Sequence, residues 1–176
     1  MQEVKRMGPT LYQFFHRHIQ HGFRQAGLAE TGTVEYVADI LSRFAQTSAL
    51  YPIRDHNQRH LTTLAQFLTE LQLAQEQDRA RAALIIRHLA EYSLFMSGFF
   101  RERLRARGQL AYYVDHGRSA FGQSADLESD HHQARVFWRL QRDFPRVALA
   151  LDTIRHRQLP LAAGAITEPA AALWRM

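Results

Sequence analysis

Apolar residues recur along most of the chain at three- and four-residue intervals, and no segment sustains the two-residue alternation of a half-buried strand. The pattern predicts an all-α protein: a single compact bundle of six to seven helices over residues 1–159, followed by an Ala- and Pro-rich tail at 160–176. Gly8-Pro9 opens the first helix, because a proline at the first helical position lacks only an N–H that has no partner there. Leu11, Phe14, Phe15, His18, Ile19 and Phe23 then share one face, and Gly27 ends the segment. A second helix is expected from Thr31 to Thr33 onward, with Glu35 in its positive first turn and Val34, Val37, Ile40, Leu41 and Phe44 turned inward. Pro52 stops it after Tyr51. Asp55 and Gln58 have the spacing of a capping box for a third helix, buried through Leu61, Leu64, Phe67, Leu68 and Leu71.

Between Asn57 and Ser97 there is neither glycine nor proline, and an unbroken helix there would be a rod of about 60 Å. A domain of this length is only ~40 Å across, so the rod is expected to break at Gln75-Glu76-Gln77-Asp78, with Asp78 capping the next helix. This fourth helix, Arg81 to Phe100, is apolar on more than one face and is the predicted centre of the bundle, with Phe95 and Phe99 in the core. Arg101, Arg103, Arg105 and Arg107 continue its carboxyl end, where the helix dipole favours cations, and Gly108 closes it. A fifth helix is expected from Leu110 to Ser124. A sixth starts near Ser129 and buries Val136, Phe137, Leu140 and Phe144 until Pro145 stops or kinks it; a short seventh covers Val147 to His156. Beyond Pro160 only Leu173-Trp174 offers an anchor.

Composition narrows the function classes more than it selects one. With 176 residues, 46% of them apolar, the chain can bury a substantial core, and the modest charged fraction of 22% argues against disorder. The absence of cysteine removes disulfides, thiolate metal sites and thiol nucleophiles, and favours a reducing compartment. Its longest apolar stretch, Tyr92 to Phe100, is half of a membrane span, and the opening Met-Gln-Glu-Val-Lys-Arg leads into no leader-like segment; a cytoplasmic, non-transmembrane protein is expected. The formal charge of +5 comes from arginine, with Lys5 the one lysine. Arginine forks suit carboxylates and phosphates, although codon bias alone also produces such a preference.

Ten histidines make imidazole chemistry the first to test. His56 and His60, four apart at the expected start of the third helix, and His18 and His21 on the first, are metal-ligand candidates that lack an identifiable third ligand. A capped helix start explains the first pair, and core packing explains His18. Haem ligation by His18 or His88 needs no motif and stands as the alternative. Glu128 and His131 are the one Glu-x-x-His pair where a di-iron bundle needs two. Asp115, His116 and Ser119 cannot form a triad on one helix, because the acid and the imidazole point about 100° apart. His88 and Glu91, three apart, read as a structural hydrogen bond more readily than as an acid–base pair. The last constellation is cationic: Arg135, Arg139, Arg142 and Arg146 recur at i, i+4, i+7 and i+11 opposite the apolar face of their helix, with Asp143 expected to pair with Arg139.

The stretch His88-Leu-Ala-Glu-Tyr-Ser-Leu-Phe-Met-Ser-Gly-Phe-Phe-Arg-Glu-Arg-Leu, followed by Tyr112-Tyr-Val-Asp-His-Gly-Arg-Ser-Ala-Phe-Gly, resembles an all-helical family of Gram-negative bacterial proteins to which no function is attached. The resemblance spans residues 34–127 and implies a bacterial cytosolic origin, without assigning a catalytic residue. It marks Tyr112, Tyr113, Asp115, Gly117 and Arg118 as a unit, either lining a pocket or packing the fifth helix on the fourth. The expectation drawn from the whole chain is a non-enzymatic interaction or regulatory protein. Its partner-binding residues are Arg135, Arg139, Arg142 and Arg146 together with Arg101, Arg103 and Arg105. A protein partner is favoured over nucleic acid or another anionic surface, no cofactor is expected, and a haem- or metal-binding bundle is the alternative.

Overall fold

Thr10 accepts from the Gln13 N–H while the Gln13 amide takes the Thr10 N–H, a capping box that starts α1, Leu11–Gln25, just after the expected proline. The computed structural model describes residues 10–45, 53–55 and 57–158, so Pro9, Pro52, His56 and the tail with Trp174 lie outside the described residues. Gly27, at φ +70°, turns the chain into α2 (Thr31–Phe44), whose first N–H groups are answered by the Glu30 carboxylate at 2.9 Å rather than by a threonine. Seven α-helices and one isolated antiparallel bridge, Arg54 to His60, make up the regular structure among the described residues.

The third helix begins later than its sequence suggested. Asp55 does not cap it: its carboxylate takes the N–H groups of Asn57 and Arg59 at 2.8 and 2.9 Å, and Gln58 stands at φ +64°, which no helix accommodates. Thr63 and Gln66 form the capping box instead, and α3 runs Leu64–Gln77. Asp78 then serves two helices at once. Its backbone closes α3, and its side chain accepts from the Arg81 N–H at 3.1 Å to start α4, Arg79–Phe99. The expected break of the long rod is therefore there, and it needs one residue.

Helix α4 is the centre of the bundle: Leu89, Ala90, Ser93, Leu94, Ser97 and Phe99 are buried on every side of it, and Phe95 lies in the core beside Phe44. It packs along α3, α6 (Leu110–Leu127) and α7 (His131–Arg157), while α1 and α2 pair and close against α7. The arginines after Phe100 do not extend α4. Phe100 leaves helical geometry at φ −116°, and Arg101–Ala106 form a separate helix, α5, plugged into the core by Leu104.

Pro145 does not stop its helix. The 27 residues of α7 continue through it, merging the expected sixth and seventh helices. A helical proline leaves the carbonyl four residues before it without a donor, here that of Gln141. The Arg118 guanidinium of α6 supplies one, its Nε donating to the Gln141 oxygen at 3.2 Å. Alongside, Gly117 lets α6 close on the bundle: a Cβ there would stand 2.5 Å from Phe144 and 2.8 Å from Ser93. The Tyr112–Arg118 unit thus packs and mends a helix; Tyr113 is buried near Tyr92 while Tyr112 faces outward.

Candidate functional site

Helix α7 buries Val136, Phe137, Leu140 and Phe144 and turns the arginine stripe outward, as the spacing required. The pairing along the stripe differs from expectation. Arg139 reaches the Glu30 carboxylate at the start of α2 at 2.7 Å, while Asp143 binds its chain neighbour Arg142 at 2.7 Å and Arg146 at 3.6 Å. Glu30 leans across because it caps α2 directly opposite the first half of α7, so Arg139 finds an acid from another element before its own i+4 neighbour. Hydrogen bonding from Arg142 outweighs partial burial and holds the Asp143 carboxyl below the usual range. Arg146 also donates to the Ala26 carbonyl at 3.0 Å. Arg135 is exposed and carries no ion pair among the described residues.

Three apolar residues outside the arginine pattern complete this surface. Trp138 is 44% exposed and Leu149 52%, and Pro145 between them is exposed too. At i, i+7 and i+11 they lie within about 40° of one another around the helix, with Arg135, Arg142 and Arg146 along one side. Their spacing is the signal by which sequence alone could have found them, but the charges dominate that face. An exposed face of this composition joins an aromatic anchor to guanidinium forks, the residue types in which binding energy concentrates at interfaces.

Comparisons with protein-family models, with curated proteins and with solved structures found no match. The functional reading therefore rests on the residues of this chain.

Arg101, Arg103 and Arg105 do not join the stripe. Helix α5 sits at the opposite end of α7, where His156 stands 3.8 Å from Glu102 and the Arg155 guanidinium lies 5.7 Å from the centre of the Phe100 ring. From Arg146, the last arginine of the stripe, to Arg155 the helix rises about 14 Å, so the α5 arginines stand beyond the carboxyl end of the stripe.

Of the candidate histidines, His21 and His60 are exposed, and His56 lies outside the described residues. His60 lies in the bridge with Arg54, not on a helix. The structure ties His18 to Gln158 at 3.1 Å and sets it edge-on to Phe14, and His21 contacts Gln25. His88 is buried between the rings of Phe44 and Phe67. Among the described residues no three histidine or acidic side chains are grouped to hold a metal ion. His116 packs on Tyr112, and Ser119 accepts from Gln123, so no triad assembles. No helix of the described residues is long and apolar enough to cross a membrane.

Glu91 is engaged by side chains of α2. Its carboxylate lies at the floor of a cleft of about 1460 Å³ bounded by α2, α4 and the start of α7, where Tyr36 donates to one oxygen and Arg43 to the other at 3.0 Å. Burial, reinforced by the Glu91 charge and hydrogen bond, pushes the Tyr36 phenol well above its usual pKa of 10. Burial works against the Arg43 charge, but hydrogen bonds to Glu91 and Asp39 outweigh it and keep the guanidinium protonated. A phenol that holds its proton above the ordinary range and a guanidinium that keeps its charge make a tie between α2 and α4.

Proposed function

We propose that this protein is a non-enzymatic interaction module that receives an acidic, amphipathic protein segment on the outer face of α7. The observation that carries the reading is the exposed line Trp138, Pro145 and Leu149, flanked by Arg135, Arg142 and Arg146 on a helix whose other face is locked in the core. Apolar side chains down the middle call for an apolar complement. Guanidiniums beside them that already engage Glu30 and Asp143 carry carboxylates in the same strip, which repel a continuous row of phosphates and suit a partner whose acids are spaced.

A synthetic helical peptide of glutamate and leucine, labelled and titrated into the full chain, tests the reading by anisotropy. Saturable binding that weakens with salt is expected, and Trp138→Ala should lower affinity by about thirtyfold, the effect of losing an interface anchor of ~2 kcal/mol. Arg135→Gln with Arg142→Gln should weaken binding and flatten its salt dependence while leaving the melting temperature nearly unchanged. Peptide binding indifferent to Trp138, or no binding at low salt, overturns the proposal.

A further inference from the structure

Beyond the α7 stripe, the far end of the same helix carries a second group of arginines. Arg101, Arg103, Arg105 and Arg107 lie on and just after α5, and Arg155 and Arg157 stand on the last turn of α7. Glu102 and Asp152 stand at this corner too, and both face His156, at 3.8 and 3.3 Å. Arg105, Arg107, Arg155 and Arg157 carry no ion pair among the described residues, and the Nη1 of Arg101 is buried without a hydrogen-bond partner. We propose that this corner binds the phosphate backbone of duplex nucleic acid without sequence preference. It lies beyond the protein-docking face, whose last apolar residue, Leu149, stands about 9 Å along α7 from Arg155.

The local construction favours that partner over others. Helix α5 is held rigidly: Leu104 is 2% exposed, and Gly108, at φ +65°, folds the chain back so that the N–H groups of Gly108 and Gln109 reach the Arg105 and Leu104 carbonyls at 3.0 and 2.8 Å. The backbone that carries these arginines is therefore anchored, and binding has to order only their side chains. A duplex carries one charge per ~1.7 Å of axis, so it engages several of them at once, which scattered carboxylates do not. A membrane surface is disfavoured because none of the large exposed apolar side chains belongs to α5 or to the last turn of α7, and interfacial helices bind by inserting such groups. Among the described residues no exposed aromatic side chain belongs to α5 or to the last turn of α7 to stack unpaired bases, and six residues of helix are too few to read a groove.

The test is anisotropy of a labelled duplex of about two helical turns, in two unrelated sequences, with the full chain between about 50 and 200 mM salt. Equal binding of both sequences is expected, with a log–log salt slope of roughly −3 to −4 if about four phosphates are engaged. Arg105→Gln with Arg107→Gln should flatten that slope by roughly two units and weaken binding at least tenfold, with the melting temperature retained. Trp138→Ala, on the other surface, should leave duplex binding unchanged, so that failure here and failure of the docking face are told apart. Several results overturn the proposal. These are no binding at the lowest salt, binding indifferent to Arg105 and Arg107, strong preference for one sequence, or tighter arginine-dependent binding to phosphatidylglycerol vesicles or polyglutamate than to the duplex.

Discussion

Gly117→Ala adds one methyl group at the point where α6 is pressed between α4 and α7. The new Cβ would meet Phe144 Cζ and Cε2 at 2.5 and 2.6 Å and the Ser93 Cβ at 2.8 Å, well inside van der Waals contact on two sides. Neither neighbour yields easily. Phe144 is fully buried with Phe121 at 6.1 Å, and Ser93 Cβ is fixed to the backbone of the central helix. Replacing a mid-helix glycine by alanine ordinarily stabilises by up to about 1 kcal/mol. Overpacking a tight core costs typically 1–3 kcal/mol, and with two rigid walls the upper part of that range applies. The net is a destabilisation of roughly 1–2 kcal/mol, a fall of about 2–8 °C in melting temperature for a chain of this size. Urea denaturation followed by far-UV circular dichroism reads it directly. Phe144→Leu in the same background should recover part of the loss, so that the two changes together cost less than their sum by more than ~0.5 kcal/mol. Gly117→Ala at or above wild-type stability, or strict additivity with Phe144→Leu, would refute the packing described around this glycine.

Arg118→Ala should destabilise by about 0.5–1.5 kcal/mol in the native chain and by less in a Pro145→Ala background, where Gln141 regains its helical donor; equal losses in both, by urea midpoints, would show that the Arg118 hydrogen bond does not mend α7. The Tyr36 phenol is held above its ordinary pKa of 10 in the fold, so above pH 10 the unfolded chain releases the proton first. Its contribution is complete below pH 10 and is lost as the pH rises toward the folded value. Tyr36→Phe should therefore flatten the alkaline fall of the urea midpoint, and an unchanged slope would sever the phenol from that tie.

Much of the architecture was legible because it is set by local rules. The apolar period marks α1, α2 and α4, and the polar run before Asp78 marks the corner between α3 and α4, since a side chain that caps one helix can sit where another ends. Departures arise where a remote residue decides. The continuity of α7 depends on Arg118, and nothing near Pro145 announces a donor for Gln141. Asp55 and Gln58 satisfy the spacing of a cap, but the same side chain also satisfies a tight turn, and only the left-handed geometry of Gln58 separates the two. The arginine stripe was readable as a face, whereas its partners were not: Glu30 reaches Arg139 from the start of α2, and the Tyr36 and Arg43 ties of Glu91 likewise come from a helix distant in sequence.

The distribution of charge along α7 gives the molecule an electrical direction that its net +5 conceals. Around its amino end the cleft gathers Glu30, Glu35, Asp39, Asp55, Glu70 and Asp130 about the buried Glu91, with several arginines balancing them. At its carboxyl end stand Arg101, Arg103, Arg105, Arg107, Arg155 and Arg157 with Glu102 and Asp152. These ends are separated by about 40 Å of helix, so among the described residues the balanced charges and the cationic ones lie at opposite ends of the longest rod. An extended anion that approaches such a charge distribution meets a field that favours the α5 corner, and that bias fades as salt closes the Debye length to a few ångströms.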